Sequence, residues 1–180
     1  MAERQLDIRP ALPMSFGLGQ DWGEYPAVAD LYRRARSLNP AHPWEEIGRW
    51  LESKPPFARW FFKAEELTLG ASASRSVVTV FRLPPSSLGV LRFFAVQVGN
   101  ASDAPNVRYA LELNGTPVSG FARIVGPITG SLSTPMAMMD PLEGRDQVRV
   151  VATNLIASAI SNVAALIRGW YWPAGARSGS

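Results

Sequence analysis

The chain of 180 residues has no cysteine, one histidine and only two lysines among its 18 basic residues. The missing thiols exclude a disulfide scaffold and a thiolate metal site. The single imidazole, His42, excludes a histidine-rich metal centre and leaves a catalytic triad one candidate base. His42 stands between Pro40 and Pro43, a loop or capping position, with no nucleophile or orienting acid beside it in sequence. Charge is also scarce, at 18% of residues against about 25% for an ordinary soluble domain. No apolar run reaches the length of a membrane span, so no membrane partner is expected. The opening Met-Ala-Glu-Arg-Gln-Leu-Asp-Ile-Arg-Pro lacks the apolar stretch of a signal peptide. Apolar residues make up 47% of the chain, enough to build a core rather than a disordered coil.

The net charge of +3 raises the question of nucleic acid. The bases are scattered, however. The one tight group, Arg33, Arg34 and Arg36, has Asp30 nearby and reads as a solvated helix face, so no direct nucleic-acid contact is expected. Arginine in place of lysine fits GC-rich coding, and it also fits interfaces, where arginine is enriched. The charges are also unevenly placed: residues 1–66 carry 19, whereas residues 67–180 carry 14 in 114 positions, about 12%. A boundary near residue 67 coincides with a change of pattern.

Residues 1–25 keep neither a helix nor a strand period. Prolines and glycines separate isolated apolar anchors, notably Leu12, Met14, Phe16, Leu18 and Trp22. The segment is too apolar for a free linker and reads as an extended arm that lies on a surface. Residues 26–66 read as a short helical element. Pro26 opens one helix, with Val28, Leu31, Tyr32 and Ala35 on a stripe, and Asn39-Pro40 stops it. Pro43 opens a second, with Trp44, Ile47, Trp50 and Leu51 on one face and Glu45 and Glu46 in the first turn. The stretch after Pro55-Pro56 is aromatic: the spacing of Phe57, Trp60, Phe61 and Ala64 favours a short helix or turn, while the aromatic density also suits a strand. Six aromatics, Trp44, Trp50, Phe57, Trp60, Phe61 and Phe62, exceed what two short helices bury alone. They must dock on the rest of the chain or on a partner, with Trp44, Trp50 and Trp60 as interface anchors.

From Leu67 onward the segments are strand-like: Arg75–Leu83, Leu88–Val98, Asn106–Asn114, Thr116–Ile124, Ser131–Met139, Asp146–Asn154 and Ile160–Trp172. Asn114-Gly115 is a hairpin turn signal, and Pro135 marks an edge or a bulge. The fold class expected is mainly β, an antiparallel jelly-roll-like β-sandwich over residues 67–173, preceded by the arm and short helices and followed by a flexible tail at 174–180. An immunoglobulin-like Greek key is the alternative topology.

Two constellations invite a site. Asp140, Glu143 and Asp146 lie within seven residues, as calcium loops do, but without the spacing of a helix–loop–helix site and with Arg145 between them. They read as a solvated loop, and no metal or cofactor is expected. Trp170, Tyr171 and Trp172 are the most distinctive triplet. Trp170 and Trp172 share one face of a strand, which packs inward or against a neighbour or the arm. The alternative is glycan stacking.

The closing run, Val148-Arg-Val-Val-Ala-Thr-Asn-Leu followed by Val163-Ala-Ala-Leu-Ile-Arg-Gly-Trp-Tyr-Trp-Pro, resembles the last strands of β-sandwich accessory proteins of tailed-phage particles. Phe93-Phe-Ala-Val-Gln-Val-Gly-Asn and Tyr109-Ala-Leu-Glu-Leu-Asn-Gly-Thr-Pro-Val are similar in style, so the resemblance spans roughly residues 75–173. It implies a non-enzymatic structural protein of the virion, assembled in the host cytoplasm, that decorates or cements the capsid or sits at the head–tail junction or fibre base. It implies the major capsid protein or other virion proteins as partners, a homo-oligomer with a trimer favoured, and an N-terminal arm that clasps neighbours. It supplies no catalytic residue. A sandwich this poor in charge also exposes apolar surface when alone, and large apolar patches mark interfaces. The competing class is a carbohydrate or receptor-binding module of a fibre or base, using the C-terminal aromatics. An enzyme is the third reading: a cupin needs several histidines, and a hydrolase pair would draw on Asp103, Glu112, Asp140, Glu143 and Asp146.

Overall fold

A computed structural model describes residues 25–118, 124–125 and 130–175. Among these residues, two helices lead into ten strands: α1 (Pro26–Leu38), α2 (Pro43–Glu52), β1 (Arg59–Leu69), β2 (Ser76–Arg82), β3 (Ser87–Val98), β4 (Val107–Leu113), β5 (Thr116–Pro117), β6 (Ile124–Val125), β7 (Gly130–Ser131), β8 (Thr134–Glu143), β9 (Gln147–Asn154) and β10 (Ile160–Pro173). A 3-10 turn, Ala101–Asn106, joins β3 to β4, the Ser102 amide donating to the Asn100 side chain at 3.2 Å and the Asp103 amide to the Asn100 carbonyl at 3.0 Å.

Both helices start as their sequences require. Pro26 and Pro43 occupy the first turn, where a missing N–H costs nothing, and Glu45 and Glu46 sit at the positive end of α2. The strands pair antiparallel throughout the described residues. One sheet has the order β1-β10-β3-β8-β7, and the other β2-β9-β4-β5 with β6 also on β4. Strands one, ten, three and eight facing two, nine, four and five make the double Greek key of a jelly roll. Asn114 and Gly115 both have positive φ, 53° and 85°, as the tight hairpin after β4 demands. The return strand is described as β5 and β6 only. Pro135 and Pro141 are tolerated in β8 because it lies at the margin of its sheet, paired on its far side only by the two-residue β7.

The space between the sheets is filled by Leu91, Phe94, Val96, Tyr109, Leu111, Leu142, Val150, Val163 and Ile167. Tyr109 reaches across it, its hydroxyl donating to the Gln97 carbonyl at 2.8 Å, and burial raises the phenol pKa. A second apolar cluster lies on the opposite face of the first sheet, where α1 and α2 cover Val90, Met139, Trp170 and Trp172. The helices are therefore a third layer on the sandwich.

One expectation is corrected. The segment after Pro55-Pro56 is not a helix or turn: Arg59–Leu69 is strand β1, and regular sandwich structure begins eight residues before the boundary read near 67. The helical spacing of Phe57, Trp60, Phe61 and Ala64 was coincidental to a period of two. Phe61 turns into the sandwich and stacks on Phe81 at 4.1 Å, while Trp60 and Phe62 turn outward. Pairing with β10 along almost the whole segment outweighs local spacing.

Candidate binding surface

The aromatic residues picked out by the sequence divide into an interior group and a surface group. Trp50, Trp170 and Trp172 are buried, the last two at 1% and 0% exposure. Trp170 and Trp172 do share a face of β10, their rings 5.4 Å apart, and Phe57 meets Trp172 and Trp50 edge-on. That face is covered by the chain's own helices. Glycan stacking by Trp170 and Trp172 is accordingly corrected: each ring buries about 200 Å², worth on the order of 5 kcal/mol, so uncovering both costs more than sugar contacts return. Tyr171 points to the other face and packs against the sandwich core. Trp44 is half-buried against Tyr32 at 4.8 Å.

Polar groups lock this helix layer in place. Asp30 is buried and accepts from Arg33 and Arg34, both at 2.7 Å, and from the Trp172 indole N–H at 2.8 Å. Burial raises its pKa, but the bonds from Arg34 and Trp172 and the two guanidinium charges outweigh burial and hold it below 3.8. Arg92 is the extra residue of a β-bulge in β3, between Leu91 and Phe93. The bulge aims it outward, where its guanidinium donates to the Met138 carbonyl and, at 3.0 Å, to the Leu51 carbonyl near the end of α2. Burial lowers its pKa, and its Nε has no hydrogen-bond partner among the described residues.

The surface group sits on β1, an edge strand. Trp60 and Phe62 project from its outward face at 40% and 58% exposure, and Arg168 of β10 lies over the Trp60 ring at 4.2 Å. Val77 and Val80 are exposed on β2, the edge of the opposite sheet on the same side of the sandwich. Among the described residues, Trp60 is thus the most exposed of the tryptophans expected to anchor an interface. Phe62 and the open edge were missed because the segment was read as helix or turn; its aromatic density was the available signal for a strand. The arm anchors Leu12, Met14, Phe16, Leu18 and Trp22 lie outside the described residues.

The acidic triplet is used internally. Asp140 sits in β8, and burial raises its pKa. Asp146 accepts from Asn114 and from the Glu143 amide, both at 2.7 Å, closing the turn between β8 and β9. Glu112, fully buried, is held between Arg75 and Arg149. Among the described residues no three metal-ligating side chains gather. His42 precedes α2, with Glu45 3.7 Å away and both side chains in solvent.

No protein-family model and no curated protein matches the chain. Among solved structures it is similar to a chain of the cyanophage Pam1 capsid asymmetric unit, at 14% identity over 67% of this chain and 90% of that one, with a TM-score of 0.42. It is also similar to a chain of the acid-stable capsid of Helicobacter pylori bacteriophage KHP30, at 14% identity over 66% and 94%, TM-score 0.37. A family 35 carbohydrate-binding module from Clostridium thermocellum is similar at 19% identity over 62% and 90%, TM-score 0.31. At such scores none of these likenesses decides fold or function; the fold rests on the strand pairing itself.

Proposed function

We propose that the chain is a non-enzymatic structural protein of a tailed-phage particle, covering or cementing the shell through the outward face of β1 and the residues before α1. The observation that carries the reading is the exposed Trp60–Phe62 face on an edge strand. Jelly rolls serve in viral shells, in lectins and in cupins. The cupin option needs a cluster of metal ligands, and the single histidine cannot build one. The lectin option loses its best rings, Trp170 and Trp172, to the helix layer. A shell component needs an apolar contact face, and Trp60 and Phe62 supply one. The sequence resemblance to phage accessory proteins points the same way, with the major capsid protein or other virion proteins as partners at the capsid or head–tail junction, assembly into a homo-oligomer (a trimer favoured) and the arm as a clasp.

The test is co-sedimentation of the full chain with particles of the phage whose genome carries this sequence. The chain should pellet with the particles, and a Trp60→Ser/Phe62→Ser variant with an unchanged melting curve should stay in the supernatant. Wild-type chain that never pellets, or a double variant that binds as well, overturns the proposal.

A further inference from the structure

We propose that β1 is a self-pairing edge: two copies of this chain join antiparallel through β1 about a two-fold axis at Ala64, making one continuous sheet. This proposal does not depend on the virion reading, and it sets a two-fold dimer in place of the trimer favoured there.

One side of β1 is fully used, its residues pairing with β10 from Arg59 to Leu69. No described strand pairs with the other side, although β1 is eleven residues long. Natural proteins blunt long edges with proline, bulges, short length or inward-pointing charge, lysine above all. On β1 the charges on the Phe61 side are Lys63 and Glu65, of opposite sign, which bar an uncharged or like-charged strand and admit one that pairs both. Here the one irregularity lies between Leu67 and Leu69, and the run from Arg59 to Leu67 is regular and has no proline. Such an edge is a template for strand addition.

The side chains select the occupant. Ala64 is the midpoint of Arg59–Leu69, so antiparallel pairing about Ala64 overlaps the entire strand. In that register Lys63 lies opposite Glu65 of the second copy, and Glu65 opposite its Lys63. Neither Lys63 nor Glu65 has an ion-pair partner among the described residues, and both are exposed. Phe61 falls opposite Leu67, prolonging the apolar layer between the sheets, and Phe62 falls opposite Glu66. Moving the axis by one residue either way sets Lys63 against Lys63 or Glu65 against Glu65. Opposed unlike charges stabilise a cross-strand pair and like charges destabilise it, so the strand carries its own register code.

The absence of cysteine gives a clean test. In Ala64→Cys the new thiols face each other across the axis, at the Cβ spacing of directly opposed residues, within reach of a disulfide. Mild oxidation should give a covalent dimer, while Thr68→Cys, which falls opposite Trp60, should give little. Analytical ultracentrifugation then reads the charge code. Lys63→Glu and Glu65→Lys should each weaken self-association about tenfold or more. The two variants mixed, or both changes in one chain, should restore it. A chain that stays monomeric at high concentration, equal cross-linking at 64 and 68, or charge variants that associate like wild type would each overturn the proposal. A trimer with no Ala64→Cys cross-link would do so too.

Discussion

Asp30 takes hydrogen bonds from three side chains on two different layers, so its ionisation is tied to the seating of α1 on the sheet. Its folded pKa lies below the unfolded value of 3.8. A depressed carboxyl stabilises the fold above the unfolded pKa, and that contribution disappears as pH falls through the folded value. Tryptophan fluorescence should therefore report loosening of the helix layer below about pH 4. Asp30→Asn should lose about 1–3 kcal/mol at neutral pH and flatten the acid transition. Asp140 behaves oppositely. Burial raises its pKa, so its penalty grows as pH rises through the unfolded value and is complete above the folded one. Asp140→Asn should accordingly raise the melting temperature at pH 7 and do less near pH 4. Of these residues the sequence revealed only the neighbours: Arg33 and Arg34 were read as a solvated face attended by Asp30. That the acid turns inward to an indole 142 positions away depends on tertiary packing.

The strands were legible wherever one face was apolar and a turn signal bounded them, as in Val107–Leu113 before Asn114-Gly115. Strand β1 was not, because its aromatics fit two periods and only the partner strand decides between them. That partner also explains Gly169. Phe61 lies across it, and a Cβ there would come within 2.2 Å of the Val90 carbonyl oxygen and 2.6 Å of the Phe61 ring. Gly169→Ala should therefore destabilise the fold by about 1–3 kcal/mol, measured by denaturant unfolding, through overpacking of β1, β10 and β3. Arg92→Met should act more locally. The carbonyls of Met138 and Leu51 lose their donor, and hydrogen exchange should quicken in α2 before the sandwich core responds.

For the whole molecule, the sandwich class followed from seven or so alternating segments, with a jelly roll ahead of a Greek key; the strand order itself is set by pairings between distant segments. The third layer did not, since amphipathic helices announce a buried face without naming what buries it. The aromatic excess of the lead-in was the clue, and the sandwich itself satisfies most of it. Among the described residues, the remaining exposed rings are on β1. Removing residues 1–24, which leaves the Tyr25 cap of α1, should keep the cooperative melting transition and abolish attachment to particles; full attachment by the shortened chain would remove the arm from the mechanism.

The chain enters β1 and leaves β10 at one end of the first sheet, Arg59 lying beside Tyr171. A pull that separates these two points would peel the two strands apart one hydrogen bond at a time, the weakest way to load a sheet. The indole–carboxylate bond between Trp172 and Asp30 stands at that mouth, so the helix layer acts as a clasp on the zipper and sets the force at which the sandwich starts to open.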